Sequence, residues 1–111
     1  MILAIVDDLL FKTKVEAAVA QRSVPITFAT ATDPALQAGA WSRILIDLNL
    51  SSGDALAVTR HLRGAHPDVP IIGYCSHVQQ DLQQQALAAG CTTVLARSAF
   101  IQQLPELLTS Q

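Results

Sequence analysis

Short apolar runs alternate with longer stretches of mixed polarity along the chain. The runs are rich in branched and aromatic side chains, which is typical of strands buried on both faces of a sheet. The predicted strands lie at 2–6, 24–29, 44–48, 71–74 and 92–95. The stretches between and after them are predicted to be helices, at 8–22, from Thr32 to near Gly39, at 55–65, at 78–89 and within 98–110.

Proline and glycine mark several of the predicted boundaries. Thr32-Asp33-Pro34 combines a capping side chain with a proline in the first turn of a helix. Gly90 follows a helical stretch at the position of a C-terminal cap. Pro25 indicates that the second strand has an early or edge position. Pro105 falls inside the last helix, so that helix either kinks or has its regular part begin there.

The alternation of strand and helix predicts the fold class. Five such repeats indicate an α/β domain with a doubly wound parallel sheet and helices on both faces. The favoured strand order is 2-1-3-4-5, the flavodoxin-like arrangement, in which ligands bind at the carboxyl ends of strands 1 and 3. We expect residues 1–111 to form one domain of this kind.

Three acidic residues lie at those two strand ends. Asp7 and Asp8 follow the first strand, and Asp47 lies near the end of the third. A buried carboxylate is costly unless something uses it, and neighbouring carboxylates raise one another's pKa. Mg²⁺ relieves such a cluster, because it accepts one or two carboxylates together with water and phosphate. The pattern therefore predicts an acidic cleft that binds Mg²⁺ and handles a phosphoryl group, with an aspartate as its nucleophile.

Composition excludes several other classes of protein. Charged residues make up 14% of the chain, the net charge is −2, and the Lys and Arg residues are scattered, which argues against nucleic-acid binding. Cys75 and Cys91 are expected to be reduced, buried thiols. The chain has no secretory-signal pattern and no apolar run long enough to span a membrane. We therefore expect a cytoplasmic protein.

These residues resemble the receiver domain of two-component response regulators, the CheY-like domain, over essentially the whole chain. Leu3-Ala4-Ile5-Val6-Asp7-Asp8 resembles the first strand of that family with its acidic pair. Ile44-Leu45-Ile46-Asp47-Leu48-Asn49-Leu50 resembles the third strand with its phosphoacceptor. Pro70-Ile71-Ile72 resembles the start of the fourth strand, and Ala88-Ala89-Gly90-Cys91 resembles the turn before the fifth.

The resemblance implies a role for each of these acids. Asp47 would be the phosphoacceptor, and Asp7 and Asp8 would hold Mg²⁺ directly or through water. Asp47 and the main-chain carbonyl of Asn49 would complete the metal site. A histidine kinase or phosphotransfer protein would supply the phosphoryl group. The chain would not be an enzyme; it would act on a downstream protein partner, with at most a weak homodimer.

The part of the site that senses phosphate departs from the family pattern. Cys75 stands where the family has Thr or Ser, with Ser76 one place later, and a thiol is a poor hydrogen-bond donor. Arg97 stands in place of a lysine, and it keeps the charge on a larger, planar group. Val94 replaces the aromatic switch residue, and Ser51 replaces a proline.

These departures leave two functions open. In the favoured one, the domain is still phosphorylated on Asp47 but signals weakly or by another route. In the other, it is a pseudo-receiver that serves as a docking or dimerisation module whatever its phosphorylation state. A flavin-binding domain is disfavoured because Asp7-Asp8-Leu9-Leu10 would repel a phosphate, whereas an acid-metal phosphohydrolase stays conceivable.

Several of these residues also have purely structural explanations. Asp8 suits a helix N-cap, where an acid is favoured by the helix dipole. Arg97 suits a surface charge, or a permanent ion pair with Asp47. His77 is expected to be an exposed loop residue. The glutamines of the fourth predicted helix are expected to form a solvated face: Gln79, Gln80, Gln83, Gln84 and Gln85.

Overall fold

The computed structural model describes residues 1–22, 24–31, 39–51 and 53–109. Its strands are β1 (Ile2–Ile5), β2 (Ile26–Ala29), β3 (Arg43–Asp47), β4 (Ile71–Cys75) and β5 (Thr93–Ala96). The helices within these residues are α1 (Leu9–Arg22), α2 (Ala55–Ala65), α3 (Gln80–Ala89) and α4 (Arg97–Thr109). The helix predicted from Thr32 lies almost wholly outside the described residues.

The strands form one parallel sheet in the order β2-β1-β3-β4-β5. β1 lies between β2 and β3, with Ile5 opposite Ile46 in β3. β3 then pairs with β4, and β4 with β5. The predicted fold class and strand order are confirmed. This order brings the ends of β1 and β3 side by side, where the three acids follow or close the strands.

Strand side chains alternate between two apolar clusters, one on each face of the sheet. On one face Ile44, Ile46 and Cys75 pack with buried residues of α2 and α3. On the other face Leu45 and Tyr74 pack with buried residues of α1 and α4. The helices pair accordingly, α2 with α3 and α1 with α4. Each face therefore has its own half of the core, and the sheet separates them.

Several boundaries differ from the predicted ones by one or two residues. β2 begins after Pro25, whose carbonyl accepts a hydrogen bond from the Ile2 amide. α3 begins at Gln80, not at Val78. α4 begins at Arg97 and continues through Pro105 as one helix. None of the helices in the described residues is both long enough and apolar enough to cross a membrane.

Arg63 at the end of α2 holds together the loops at the opposite edge of the sheet. Its guanidinium donates to the carbonyls of His66, Pro67 and Val69, which lead into β4. It also donates twice to the carbonyl of Gly90, at 2.8 and 3.0 Å. Gly90 has a φ of +132°, and a Cβ at this position would approach Arg63 to 2.7 Å. Glycine is therefore required where α3 ends against Arg63.

Candidate functional site

Asp47 is buried at the carboxyl end of β3, with 2% of its surface exposed. Its Oδ1 accepts a hydrogen bond from the Asn49 amide at 2.8 Å, which fixes the orientation of the carboxylate. Burial raises the pKa of Asp47 above its ordinary value. The Asn49 amide and the positive charge of Arg97 lower this pKa, and the negative charge of Asp7 raises it. Three of the predicted site residues, Asn49, Arg97 and Asp7, therefore lie close enough to Asp47 to affect its pKa.

Asp7 connects the end of β1 to the loop that follows β3. Its Oδ2 accepts a hydrogen bond from the Ser51 amide at 3.0 Å. A proline, which the receiver pattern has at this place, carries no amide hydrogen and could not make this contact. The replacement of that proline by Ser51 therefore supplies a bond that holds the Asp7 carboxylate beside Asp47.

Asp8 caps the N-terminus of a helix, which was the structural alternative predicted for it. It also faces the cleft. Its Oδ1 accepts from the amides of Leu10 and Phe11, at 3.0 and 3.3 Å, and so caps α1. Its Oδ2 lies 3.9 Å from a terminal nitrogen of Arg97. Asp8 is therefore held by its own helix on one side and by a cation on the other.

Arg97 reaches the site from the start of α4. Its guanidinium lies 5.6 Å from the ring centre of Phe11 and 5.8 Å from that of Tyr74, within the range of cation–π attraction. The ion pair that it forms is with Asp8, and it acts on Asp47 only through space. A permanent pair with Asp47, one of the alternatives, is not what the structure shows.

Tyr74 forms the floor of the site on this face of the sheet. It lies opposite Asp47 in the register of β3 and β4 and is fully buried. Its ring stacks on Phe11 at 4.4 Å and contacts Phe100 at 4.5 Å between ring centres. Tyr74 was not among the site residues predicted from the sequence. The available signal was strand alternation, which places residues 74 and 47 on the same face.

Cys75 and Ser76 occupy different environments. Cys75 is fully buried in the core cluster on the α2–α3 face, and burial raises the pKa of its thiol. Ser76 lies at the mouth of an open cleft of about 650 Å³. The residues that line this cleft are Asn49, Ser76, His77, Ala96, Arg97, Ser98 and Ile101. The phosphate contacts predicted for Cys75 and Ser76 stay predictions, and only Ser76 borders the cleft.

The structure also shows the surroundings of Val94, at the predicted switch position, and of His77, the predicted loop histidine. Val94, in β5, is partly buried and packs against the core cluster of the α2–α3 face. Its side chain carries no group that could couple to the cleft by hydrogen bonding. His77 is exposed beside Ser76, as expected for a loop residue.

Asn49 and Gln79 close one side of the cleft. The amide group of each side chain donates to the carbonyl oxygen of the other, at 2.9 and 3.0 Å. Gln79 Oε1 also accepts from the Ser76 amide at 3.0 Å. The loop after β3 is therefore tied to the loop after β4. Gln79, predicted as part of a solvated face, instead belongs to the site.

The oxygen donors at this edge suit Mg²⁺ in chemistry, but they do not form a closed metal site. Among the described residues no three His, Cys, Asp or Glu side chains lie close enough together to hold a metal ion. Mg²⁺ needs only one or two carboxylates, because water and phosphate complete its shell. Asp7 and Asp47 offer that number of carboxylates. The ligand roles of Asp7, Asp8, Asp47 and the Asn49 carbonyl all stay predictions.

No protein-family model matches the sequence, and no curated protein matches it either. Solved structures do match the fold. The receiver domain of a sensor histidine kinase from Pseudomonas aeruginosa PAO1, with a magnesium ion in its active-site cleft, has 24% identity and a TM-score of 0.77. The match covers 98% of this chain and 97% of that one.

Two further structures agree with this result. A response regulator from Burkholderia pseudomallei with a phosphorylated aspartic acid and a calcium ion has 23% identity and a TM-score of 0.78. The match covers 98% of this chain and 66% of that one, so this chain spans less than two thirds of the regulator. The chemotaxis response regulator CheY4 of Vibrio cholerae has 16% identity, a TM-score of 0.81, and coverage of 95% and 92%. The fold of this chain is therefore that of the response-regulator receiver domains.

Proposed function

We propose that this chain is a receiver domain that accepts a phosphoryl group on Asp47 and acts through contacts with other proteins. One observation carries the proposal. The buried Asp47 carboxylate is approached by the negative charge of Asp7 from β1 and the positive charge of Arg97 from α4. A carboxylate placed in this way is out of bulk water, is oriented by a backbone donor, and lies near both a second carboxylate and a fixed cation.

The transfer step is a displacement at phosphorus. A carboxylate oxygen of Asp47 attacks the phosphorus atom of the donor and forms a new P–O bond. The bond from phosphorus to the nitrogen of a phosphohistidine, or to the oxygen of an acyl phosphate, breaks, and the leaving group keeps the electron pair. The product is an aspartyl phosphate. The amide of Asn49 fixes the angle of attack, because it holds Asp47 Oδ1 in place.

Positive charge must reach the phosphoryl oxygens during this step. Arg97 supplies one such charge from the side of α4, where its guanidinium lines the open cleft. Bound Mg²⁺, held by Asp7 and Asp47 with Asp8 and the Asn49 carbonyl as further ligands, would neutralise the remainder. The magnesium ion in the Pseudomonas receiver and the phosphorylated aspartic acid in the Burkholderia regulator support both parts of this proposal.

The proposed partners follow from the same function. The phosphodonor is a histidine kinase or phosphotransfer protein, and the output is a downstream protein partner in the cytoplasm. We propose that the chain is not an enzyme, as its resemblance to receiver domains implies. Any homodimer is expected to be weak, since α3 is rich in glutamine and carries Asp81 as its one charge, so it offers no set of opposite charges that could pair between two copies.

A phosphate-independent docking module is the second candidate, and one observation favours it. The charges of Asp8 and Arg97 already offset each other within the chain, and the Cys75 thiol lies in the core. Neither of these features depends on phosphate. In this case the fold would bind its partner equally well with Asp47 modified or replaced.

Intact mass spectrometry distinguishes the two candidates. The protein is incubated with Mg²⁺ and acetyl phosphate, and one phosphate-sized increase is expected for the natural sequence. The Asp47→Ala variant should show none, whereas Asp68→Ala, which removes an exposed acid from a turn, should behave as the natural sequence. A natural sequence that gains no phosphate from acetyl phosphate or from a phosphohistidine donor would support the docking module.

A further inference from the structure

The hydroxyl of Tyr74 is buried without a hydrogen bond of normal geometry. No polar atom among the described residues meets distance and angle criteria for it. A buried hydroxyl that lacks a partner is costly, and phenylalanine would fill the same stack with Phe11 and Phe100 without that cost. The hydroxyl group at this position therefore calls for an explanation other than packing.

The carboxylate of Asp47 lies next to this hydroxyl. The two residues are opposite each other in the register, and each affects the ionisation of the other through a side-chain contact. The two groups lie in contact without forming a regular hydrogen bond. Arg97 covers the face of the Tyr74 ring. The hydroxyl is thus a donor held against the reacting carboxylate beneath a cation.

Cys75 and Ser76, the two residues predicted to contact phosphate, have different surroundings from Tyr74. The Cys75 thiol is buried on the opposite face of the sheet. The Ser76 hydroxyl lies at the mouth of the cleft and accepts from the Val78 amide at 3.4 Å. Tyr74 is therefore the residue of β4 whose hydroxyl is placed against Asp47.

We propose that the Tyr74 hydroxyl donates a hydrogen bond to the carboxyl group of Asp47 and so promotes loss of the phosphoryl group from it. This inference rests on the proposed function. In the loss step, water attacks phosphorus, the bond between phosphorus and the Asp47 oxygen breaks, and its electron pair returns to Asp47 as a carboxylate. The products are the carboxylate and inorganic phosphate, with the proton of the water released to solvent.

The direction of the effect follows from charge. A hydroxyl bonds more strongly to a carboxylate than to the neutral carbonyl of an acyl phosphate. Because the transition state for phosphoryl transfer is loose, the carboxylate charge is already largely developed there. The donor therefore lowers the barrier to phosphate loss. The hydroxyl changes the rate at which Asp47 gains phosphate much less, because the hydrogen bond is present both in the starting carboxylate and in that transition state.

The test compares the natural sequence with Tyr74→Phe, which removes only the hydroxyl. After phosphorylation the donor is removed, and the phosphorylated fraction is followed by intact mass. We expect loss of phosphate to slow by about threefold or more, and the rate of gain to change by less than this. Thermal unfolding should show that Tyr74→Phe remains folded at the temperature of the assay, so that a slower loss of phosphate does not come from unfolding. Phe100→Leu, which disturbs the stack but keeps the hydroxyl, should lose phosphate at nearly the natural rate. Equal rates of loss for the natural sequence and Tyr74→Phe would overturn the inference.

A second measurement applies even if the chain takes no phosphate, in which case the proposed function itself fails. Tyr74 is the only tyrosine in the chain, so its near-ultraviolet absorbance reports on this one hydroxyl. Asp47→Asn replaces a charged acceptor with a weaker one, and the tyrosine band should move to shorter wavelength. Asp68→Asn should leave the band unchanged. A band that does not move in Asp47→Asn would show that the hydroxyl is not bonded to Asp47.

Discussion

Asn49 and Gln79 exchange a reciprocal pair of amide hydrogen bonds, 2.9 and 3.0 Å long, across one side of the cleft. Asn49 lies two residues after Asp47, and Gln79 lies immediately before α3. The pair therefore connects the loop that carries the Asp47 backbone donor with the loop that carries Ser76. One loop therefore cannot move unless these hydrogen bonds break or the other loop moves with it.

Gln79→Ala should loosen both loops. It removes the two bonds to Asn49 and the acceptor of the Ser76 amide. Each such hydrogen bond contributes about 1 kcal/mol at most where it is exposed, so we expect a loss of about 1–2 kcal/mol in the free energy of unfolding. Hydrogen exchange at Ser76 and Asn49 should become faster. Gln84→Ala, an exposed position of α3, is the control; equal exchange in the two variants would contradict the proposed connection.

Asp47 should make the metal-free protein less stable at neutral pH than at low pH. Burial raises its pKa in the folded state, so ionisation favours the unfolded chain. Protonated Asp47 stabilises the folded protein, and this stabilisation is fully present below the pKa of Asp47 in the unfolded chain, near 3.8. It is lost as the pH rises through the higher pKa of Asp47 in the folded protein. Asp47→Asn should therefore be more stable than the natural sequence at pH 7, with a smaller difference near pH 4. Denaturant unfolding at both pH values in a chelating buffer measures this, and a difference that grows on acidification would contradict it.

Arg97 should oppose Mg²⁺ binding, although we propose that it assists phosphoryl transfer. Its guanidinium occupies Asp8 and adds positive charge beside Asp47. Arg97→Gln removes both effects, and we expect Mg²⁺ to bind about threefold more tightly or better, a modest change because Arg97 and Asp8 are partly exposed. Calorimetric titration with MgCl₂ measures the affinity. Arg60→Gln, an exposed position of α2, should change it little, and weaker binding in Arg97→Gln would contradict the expected competition.

Arg63 should be among the most sensitive positions outside the site. Its bonds to four backbone carbonyls at the edge opposite the cleft are charge-assisted, and Arg63→Ala removes all of them. We expect a loss of about 2–4 kcal/mol in the free energy of unfolding. Arg63→Lys should recover only a small part, since an ammonium cannot match the planar set of donors. Arg60→Ala should cost less than about 0.5 kcal/mol by the same denaturant titration.

The fold could be predicted from the sequence because its signals are local and repeated. Apolar runs such as 44–48 and stretches such as 55–65 alternate strictly, and the strand order follows from general rules of α/β packing. The meeting of Asp7 and Asp47 then follows from adjacency of β1 and β3. The first and last residues of the helices and strands were less predictable. For α3, the Gln79 side chain binds the preceding loop and delays the helix to Gln80.

The parts of the site that sequence reasoning missed depend on side-chain direction and long-range pairing. Tyr74 and Cys75 are adjacent in sequence but face opposite sides of the sheet, and only Tyr74 faces Asp47. The family pattern directed attention to position 75. The partner of Gln79 lies 30 residues away in sequence, so composition alone indicated a solvated glutamine. Arg97 was predicted as a site residue. That it forms an ion pair with Asp8 and not with Asp47 depends on where α4 begins.

The most direct measurement is the mass of the intact protein after incubation with Mg²⁺ and acetyl phosphate, for the natural sequence and for Asp47→Ala. We predict a gain of one phosphate by the natural sequence, lost again when the donor is removed, and no gain by Asp47→Ala. The absence of any gain in the natural sequence, or an equal gain in Asp47→Ala, would contradict the assignment of Asp47 as the phosphoacceptor.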